Sequence, residues 1–255
     1  MKEAKTKIKI LGSNGWYSTE TGNTICTLIE SSLGYIVFDA GEGIKNLGQH
    51  IKTDLPIFLF LSHFHLDHTS GFHILDKFQF IQPIRIFGQP GTKEILHKFI
   101  ASPYTIPPEK LKTKIIIQDL PEGESVLSPS SLSVECRYLV HKDSSFGYRL
   151  NVGGKIITYC ADTGPNDNLL RLAQKADVLI AECSAKKGQP EEEWQHLTPE
   201  SAAETAKKSN AKRLLLTHFD ADNYPTLKDR EEAEKIARKI FLDTNVCYDN
   251  MEIEI

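Results

Sequence analysis

No stretch constrains this chain more than Ser62-His63-Phe64-His65-Leu66-Asp67-His68, which places three imidazoles and one carboxylate within six residues. It follows the apolar run Pro56-Ile57-Phe58-Leu59-Phe60-Leu61, whose length and branched or aromatic composition predict a buried strand. On an extended backbone alternate side chains share a face, so His63 and His65 point the same way. A turn toward a helix then lets Asp67 and His68 reach a second point nearby. The plain alternative is a histidine-rich surface turn. Imidazole and carboxylate are the ligands that suit zinc and similar ions, however, and H-x-H-x-D-H at the end of a buried strand reads as a metal site.

At 255 residues the chain can bury a sizeable core, and one domain is expected over residues 1–255. A hydrophobic fraction of 40% and a charged fraction of 25% are those of an ordinary soluble globular protein. The net charge of -4 leaves no electrostatic footprint for bulk nucleic-acid binding, although a locally basic groove stays open. The cysteines, Cys26, Cys136, Cys160, Cys183 and Cys247, are scattered and odd in number, with no C-x-x-C pair. Reduced, buried thiols are the simpler reading than a disulfide framework. The N-terminal residues lack the apolar region of a signal peptide and no apolar run approaches the length of a membrane span. The sequence therefore places the chain in the cytoplasm, with no membrane partner.

Residues 7–12 read as a first strand, closed by the polar loop Gly12-Ser13-Asn14-Gly15, which either approaches a ligand or simply turns the chain. Residues 24–30 and 35–39 form a strand pair joined at Ser31-Ser32-Leu33-Gly34, and a short helix follows over 44–50. Next come helical spacing over 71–78, a strand over 84–87, an amphipathic helix over 92–100 and a proline- and lysine-rich excursion over 102–114. Strands are predicted at 115–117, 132–140, 146–152 and 155–160, the last two as a hairpin around Gly153-Gly154. Beyond them the pattern alternates. A helix over 165–176 has proline in its first turn, and a strand covers 177–182. Thr198 caps a helix with Pro199 at its first position. A strand over 213–217, a charged amphipathic helix over 230–241 and closing strands at 245–248 and 252–255 complete the chain. Strand-rich halves with interspersed helices predict an α/β (α+β) arrangement of two sheets packed face to face with helices outside.

His141 directly follows Tyr138-Leu139-Val140, Asp162 follows the apolar run ending at Ala161, and His218 follows Leu214-Leu215-Leu216-Thr217. Each lies at the carboxyl end of an apolar strand, the local context of His63. Strand ends on one sheet edge converge in space, so this repeated placement points to further ligands. His50, His73 and His97 lack the context and read as structural or solvated.

Taken in order, His63-x-His65-x-Asp67-His68, His141, Asp162 and His218 resemble the metal-binding series of the metallo-β-lactamase superfamily. Asp39 matches the aspartate that precedes the histidine motif there. The resemblance spans essentially the whole chain. It implies a four-layer αβ/βα sandwich of two mixed β-sheets flanked by helices, with a dinuclear metal site at one edge. Within the superfamily the chain is most similar to ribonuclease Z and its phosphodiesterase relatives. Leu179-Ile180-Ala181-Glu182-Cys183 resembles the strand that carries an active-site glutamate there, and His196-Leu197-Thr198 resembles that family's His-Ser/Thr loop. Tyr248-Asp249-Asn250-Met251-Glu252-Ile253 is similar to its closing strand. The chain departs from the pattern in one respect. Ribonuclease Z enzymes that process transfer RNA carry a long arm, in many of them between the positions matching His141 and Asp162. Here that interval holds only residues 142–161, most of them hairpin.

By this resemblance His63, His65 and His141 hold one divalent ion, Asp67, His68 and His218 hold a second, and Asp162 bridges both. Zinc is the expected metal, and manganese or iron would also be accommodated. Two ions roughly 3.5–4 Å apart can share a hydroxide and neutralise charge on an attacked phosphorus or carbonyl. An alkoxide leaves a phosphodiester poorly, so His196 is the candidate general acid, oriented by Glu182, and Asp67 additionally orients the nucleophile. The alternative for His196 is ordering the loop ahead of the Thr198 helix. Lys142, Arg149 and Lys110-Leu111-Lys112-Thr113-Lys114 either contact a phosphate or form a solvated charged surface. The expected activity is cleavage of a small or cyclic phosphodiester, or of a nucleic-acid 3′ end, through a metal-bridging hydroxide. Two other readings stay open: thioester or lactone hydrolysis on the same core, and a non-catalytic metal- or ligand-binding scaffold. The expected partner is a small-molecule or short nucleic-acid phosphodiester substrate, and the sequence is compatible with a homodimer.

Overall fold

A computed structural model describes residues 6–189 and 194–255. Residues 1–5, expected to carry no signal segment, lie outside these. Period-two alternation in the apolar strands decides the architecture, because each strand has two faces to bury. In chain order the elements are β1 (Lys7–Gly12), a two-residue β2 (Asn14–Gly15), and the hairpin of β3 (Cys26–Ser31) and β4 (Gly34–Phe38). Then come β5 (Ile57–Phe60), α1 (Leu66–Thr69), β6 (Ile84–Gly88), α2 (Thr92–Phe99) and β7 (Ile115–Asp119). The meander β8 (Gly123–Leu127), β9 (Leu132–Leu139), β10 (Ser145–Val152) and β11 (Lys155–Cys160) follows. The rest alternates: α3 (Asp167–Ala173), β12 (Val178–Glu182), α4 (Pro199–Lys208), β13 (Leu214–Thr217), β14 (Phe219–Asp220), α5 (Leu227–Arg238), β15 (Thr244–Val246) and β16 (Glu252–Glu254).

Two seven-stranded mixed sheets result, ordered β16-β1-β3-β4-β5-β6-β7 and β15-β13-β12-β11-β10-β9-β8. Phe38, Phe58 and Phe60 of the first sheet and Tyr148, Ile157 and Tyr159 of the second bury their side chains between the sheets. Phe38 and Tyr159 stack across that interface with centroids 4.4 Å apart. The alternate residues of the first sheet, Val37, Ile57 and Leu59, face outward and pack with Leu96 of α2. Leu179 and Leu214 of the second sheet meet Leu172, Ala202 and Ala233 of α3, α4 and α5. The expected sandwich, flanked by helices, is therefore present. Among the described residues no helix is long and apolar enough to cross a membrane. All five cysteines are free and buried, as their apolar settings suggest.

Direction matters more than layering for the site. β4, β5, β6 and β7 run parallel, as do β11, β12, β13 and β15. Their carboxyl ends therefore crowd one edge of each sheet. The edges are stitched together by the Phe146 N–H, which donates to the Ser62 carbonyl at 2.8 Å.

Local readings erred mainly at boundaries. The helix expected from Pro165 begins at Asp167, because the Asn166 side chain caps it by accepting the Leu169 N–H. The charged helix expected from Arg230 begins at Leu227, where Thr226 and Asp229 form a reciprocal capping box. Residues 42–49 and 70–77 wind as 3-10 rather than α turns. β8 escaped the sequence reading because Gly-Glu-Ser-Val-Leu carries few apolar residues; it is an edge strand with little to bury.

Candidate metal centre

β5 ends at Phe60, so the chain is already beyond its strand when it delivers His63 and His65. They converge nonetheless, His63 Nε2 lying 2.7 Å from His65 Nδ1. The short α1 then turns Asp67 and His68 back toward the sheet edge. His141 follows β9, Asp162 follows β11 and His218 follows β13, with His218 at a φ of 53°. The donor atoms gather in two groups, each within 4.8 Å: His63, His65, His141 and Asp162, and Asp67, His68 and His218. Asp162 joins them. Its Oδ1 lies 3.2 Å from His68 Nε2 and 3.1 Å from His218 Nε2, and its Oδ2 lies 3.7 Å from His63 Nε2 and 3.8 Å from His141 Nε2.

The outer partners dictate which nitrogen of each ring carries hydrogen. His65 Nε2 donates to Asp143 at 2.9 Å, His68 Nδ1 to Asp39 at 2.9 Å, and His141 Nδ1 to the Gln195 carbonyl at 3.3 Å. Ser184 Oγ donates to the His218 carbonyl and so accepts from His218 Nδ1. Ser62 Oγ donates to Asp39 and accepts from His63 Nδ1. Five bare imidazole nitrogens are thus aimed inward. Two such lone pairs at 2.7 Å, or the His68–His218 pair at 2.9 Å, repel unless something positive lies between them. His141 Nε2 and Asp162 Oδ1 are buried with no hydrogen bond.

The electrostatics agree. Burial holds the His63 and His141 pKa values below the ordinary imidazole range, so both favour the neutral form that ligates. Burial also opposes charge on His68, yet Asp67, Asp162 and Asp39 push its pKa well up. Burial would raise the Asp162 pKa, but His218, His68 and His63 hold it well below the usual carboxylate range. A buried cluster that draws protons onto His68 and His218 is short of positive charge. The donor set therefore fits divalent cations.

Asp39, fully buried at a φ of 57°, anchors the back of the cluster. Besides His68 it accepts from the Ser62 N–H at 2.8 Å and the Tyr159 hydroxyl at 2.6 Å. On the cavity side, His196 Nδ1 lies 2.7 Å from Glu182 Oε1. Glu182 is fully buried, and its two oxygens also accept the Thr163 and Ser184 N–H groups, each at 2.9 Å. Burial works against a charged His196, but Glu182 outweighs it and pushes the pKa up to about 9. The His196 ring is 5.2 Å from that of His141 and 6.4 Å from that of His218.

Every residue singled out for the site thus meets the others at one edge. The supporting contacts from Asp143, Ser184 and Tyr159, and from the Trp16 backbone N–H, which donates to Asp67 at 2.8 Å, left no signal, since each depends on a distant strand or loop. Arg149 belongs elsewhere: its guanidinium donates to the Leu172 and Gln174 carbonyls and closes the end of α3. Lys112 pairs with Asp76, whereas Lys142 reaches the rim, 5.0 Å over the Trp194 ring. His73 and His97 bond carbonyls within their own turns, as solvated residues do.

The loop after β1 does approach the site. A Cβ on Gly15 would lie 2.5 Å from His218 Cε1, so only glycine lets the ring settle there. Gly15→Ala is expected to displace His218, lower metal content and reduce turnover roughly 10²-fold, the effect of misplacing a catalytic group by about an ångström. Metal analysis beside a thermal melt checks this; full metal content in a folded variant counts against it.

Residues 35–219 match the β-lactamase superfamily domain. The chain is 27% identical to a ribonuclease Z of Bacillus licheniformis over 98% of its own length and 99% of the relative's. That alignment spans 314 positions against a chain of 255 residues, so the relative carries several dozen residues with no counterpart here. Among solved structures, the metallo-β-lactamase fold protein YhfI from Bacillus subtilis superposes with a TM-score of 0.82 at 21% identity, covering 99% of this chain and 100% of that one. The short form of human tRNase Z superposes with a TM-score of 0.76 at 23% identity, covering 97% and 98%.

Proposed function

This chain belongs to the β-lactamase superfamily, and from that premise we propose a metal-dependent phosphodiesterase that cuts a small phosphodiester or the end of a short nucleic acid. His63, His65 and His141 would hold one ion, Asp67, His68 and His218 the other, with Asp162 shared. Zinc suits this imidazole-rich set best. Such ions supply a water of lowered pKa and neutralise charge on the phosphoryl oxygens.

The observation that carries the phosphodiester over an acyl substrate is the His196–Glu182 pair. An alkoxide leaving group needs a proton, and His196 is held charged beside the cluster with Nδ1 committed to Glu182. Its Nε2–H is left to face the cavity and donate to the departing oxygen. Asp67 lines the same cavity, and the Trp16 backbone N–H at 2.8 Å fixes its carboxylate to orient the attacking water. Bound cations in the adjacent cluster would lower the His196 pKa and bring the acid nearer neutrality. The names of the relatives, ribonuclease Z and tRNase Z, support a nucleotide-like diester. The residues that the longer relative has and this chain lacks support a substrate smaller than transfer RNA.

Bis-p-nitrophenyl phosphate assayed beside a thioester and a lactone, with zinc or manganese added, tests the proposal. Hydrolysis of the acyl substrates alone would overturn it. The acid's protonation can be read directly. Glu182→Gln removes the counter-charge, so the imidazolium loses stabilisation and its pKa falls. With a diester whose leaving group is an alkoxide, the alkaline limb of kcat is expected to move at least about one pH unit lower. An unmoved limb means that another group supplies the proton.

A further inference from the structure

The chain has two tryptophans, and both line the cavity over this site. Neither belongs to a hydrophobic cluster of the core, and they are 62% (Trp16) and 40% (Trp194) exposed. Both rings therefore offer aromatic surface to the cavity beside the ligand groups. Their positions relative to the ligand groups are ordered. Trp194 packs on His65 and His141, with ring centroids 5.1 and 5.6 Å apart. Trp16 stands beside the opposite group, its backbone N–H donating to Asp67 at 2.8 Å. Asp162 lies between the groups. The sequence across the site is therefore aromatic, three imidazoles, shared carboxylate, second ligand group, aromatic.

Trp16 is also held in a costly conformation, a bulky residue at a φ of 66°. Its loop is anchored from behind by the fully buried Arg230, whose guanidinium donates to Ser13 and Asn14 and, at 3.0 Å, to Thr21. A rigid mount for an exposed ring is what a stacking surface needs. The cavity measures about 1150 Å³, beyond the roughly 300–1,000 Å³ that encloses a drug-sized ligand. With a net charge of -4, the chain has little to attract a polyanion at long range, so affinity for a short ligand must come from contact.

We propose that Trp194 and Trp16 are stacking platforms for the planar groups on either side of the scissile phosphodiester, selecting a dinucleoside linkage at the end of a single strand. This rests on the phosphodiesterase reading. Base stacking on an aromatic side chain is sequence-tolerant, so discrimination is for the presence of a base rather than its identity.

The test uses the metal-loaded full chain and four forms of one dinucleoside monophosphate: both bases present, either one replaced by hydrogen, or both replaced. Each base is expected to lower KM about tenfold in the wild type. W194A erases the advantage of one base and W16A that of the other, and the Trp→Phe variants restore most of it. Because the advantage is a ratio taken on one preparation, partial misfolding cancels. An advantage equal in wild type and both alanine variants overturns the proposal. Tryptophan emission provides a second arm that needs no turnover. The dinucleoside quenches it and the doubly abasic diester does not. Cleavage of none of the diesters would sink the phosphodiesterase reading while leaving this arm to decide; no quenching at millimolar dinucleoside overturns the platforms.

Discussion

Asp162→Ala is expected to strip the protein of both ions and to reduce turnover by more than any other single change. The carboxylate is buried and lies within 4 Å of His63, His68, His141 and His218 at once. Without it, the facing nitrogens of His68 and His218 at 2.9 Å keep only Asp67 beside them, and the first group, His63, His65 and His141, is left with no carboxylate in its donor set. Loss of an outer hydrogen-bond partner to a ligand already weakens metal binding roughly 10–100-fold, and loss of a shared inner carboxylate must exceed that. Metal analysis should fall from two ions per chain to fewer than one, with the wild type measured in parallel. Stability gives an independent readout. Metal at a hundred times its Kd stabilises a folded chain by about 2.7 kcal/mol, so a chelator should lower the melting temperature of the wild type and leave Asp162→Ala nearly unmoved. Two retained ions with undiminished turnover would remove Asp162 from its bridging role.

His196→Ala should behave in the opposite way. It touches no atom of the donor set other than by ring packing against His141 and His218, so both ions should stay. Turnover of a diester with an alkoxide leaving group should fall about 10²–10⁴-fold, the usual contribution of a positioned acid. A p-nitrophenolate departs without a proton, so bis-p-nitrophenyl phosphate should lose far less. That difference separates an acid from a loop-ordering residue, since a disordered loop would slow both substrates alike. Loss of metal, or equal loss on both substrates, would count against the assignment.

Much of the site was legible because it is written locally. His63, His65, Asp67 and His68 stand close in sequence, and His141, Asp162 and His218 each terminate an apolar strand. Strand ends are visible in a hydropathy pattern, and parallel strands bring them to one edge. The supporting residues were not legible for a reason of distance. Tyr159 meets Asp39 across 120 residues, and Trp16 meets Asp67 across 51. No local spacing encodes such contacts. Arg230, where the charged amphipathic helix was expected to begin, is fully buried against Phe219 and the loop that mounts Trp16. A charged side chain's burial is decided by what packs over it, and that lies elsewhere in the chain.

The sequence by itself determined the candidate donor residues, the strands that present them and the superfamily they resemble, because these depend on residue type and short-range periodicity. Only the tertiary structure decided which nitrogen of each imidazole is bare and which way it faces. That choice is made by Asp39, Asp143, Ser62, Ser184 and the Gln195 carbonyl, which take up the opposite nitrogens. A histidine is a ligand only when its other nitrogen is occupied and its lone pair is aimed, and the aim comes from contacts that the folded sheets create.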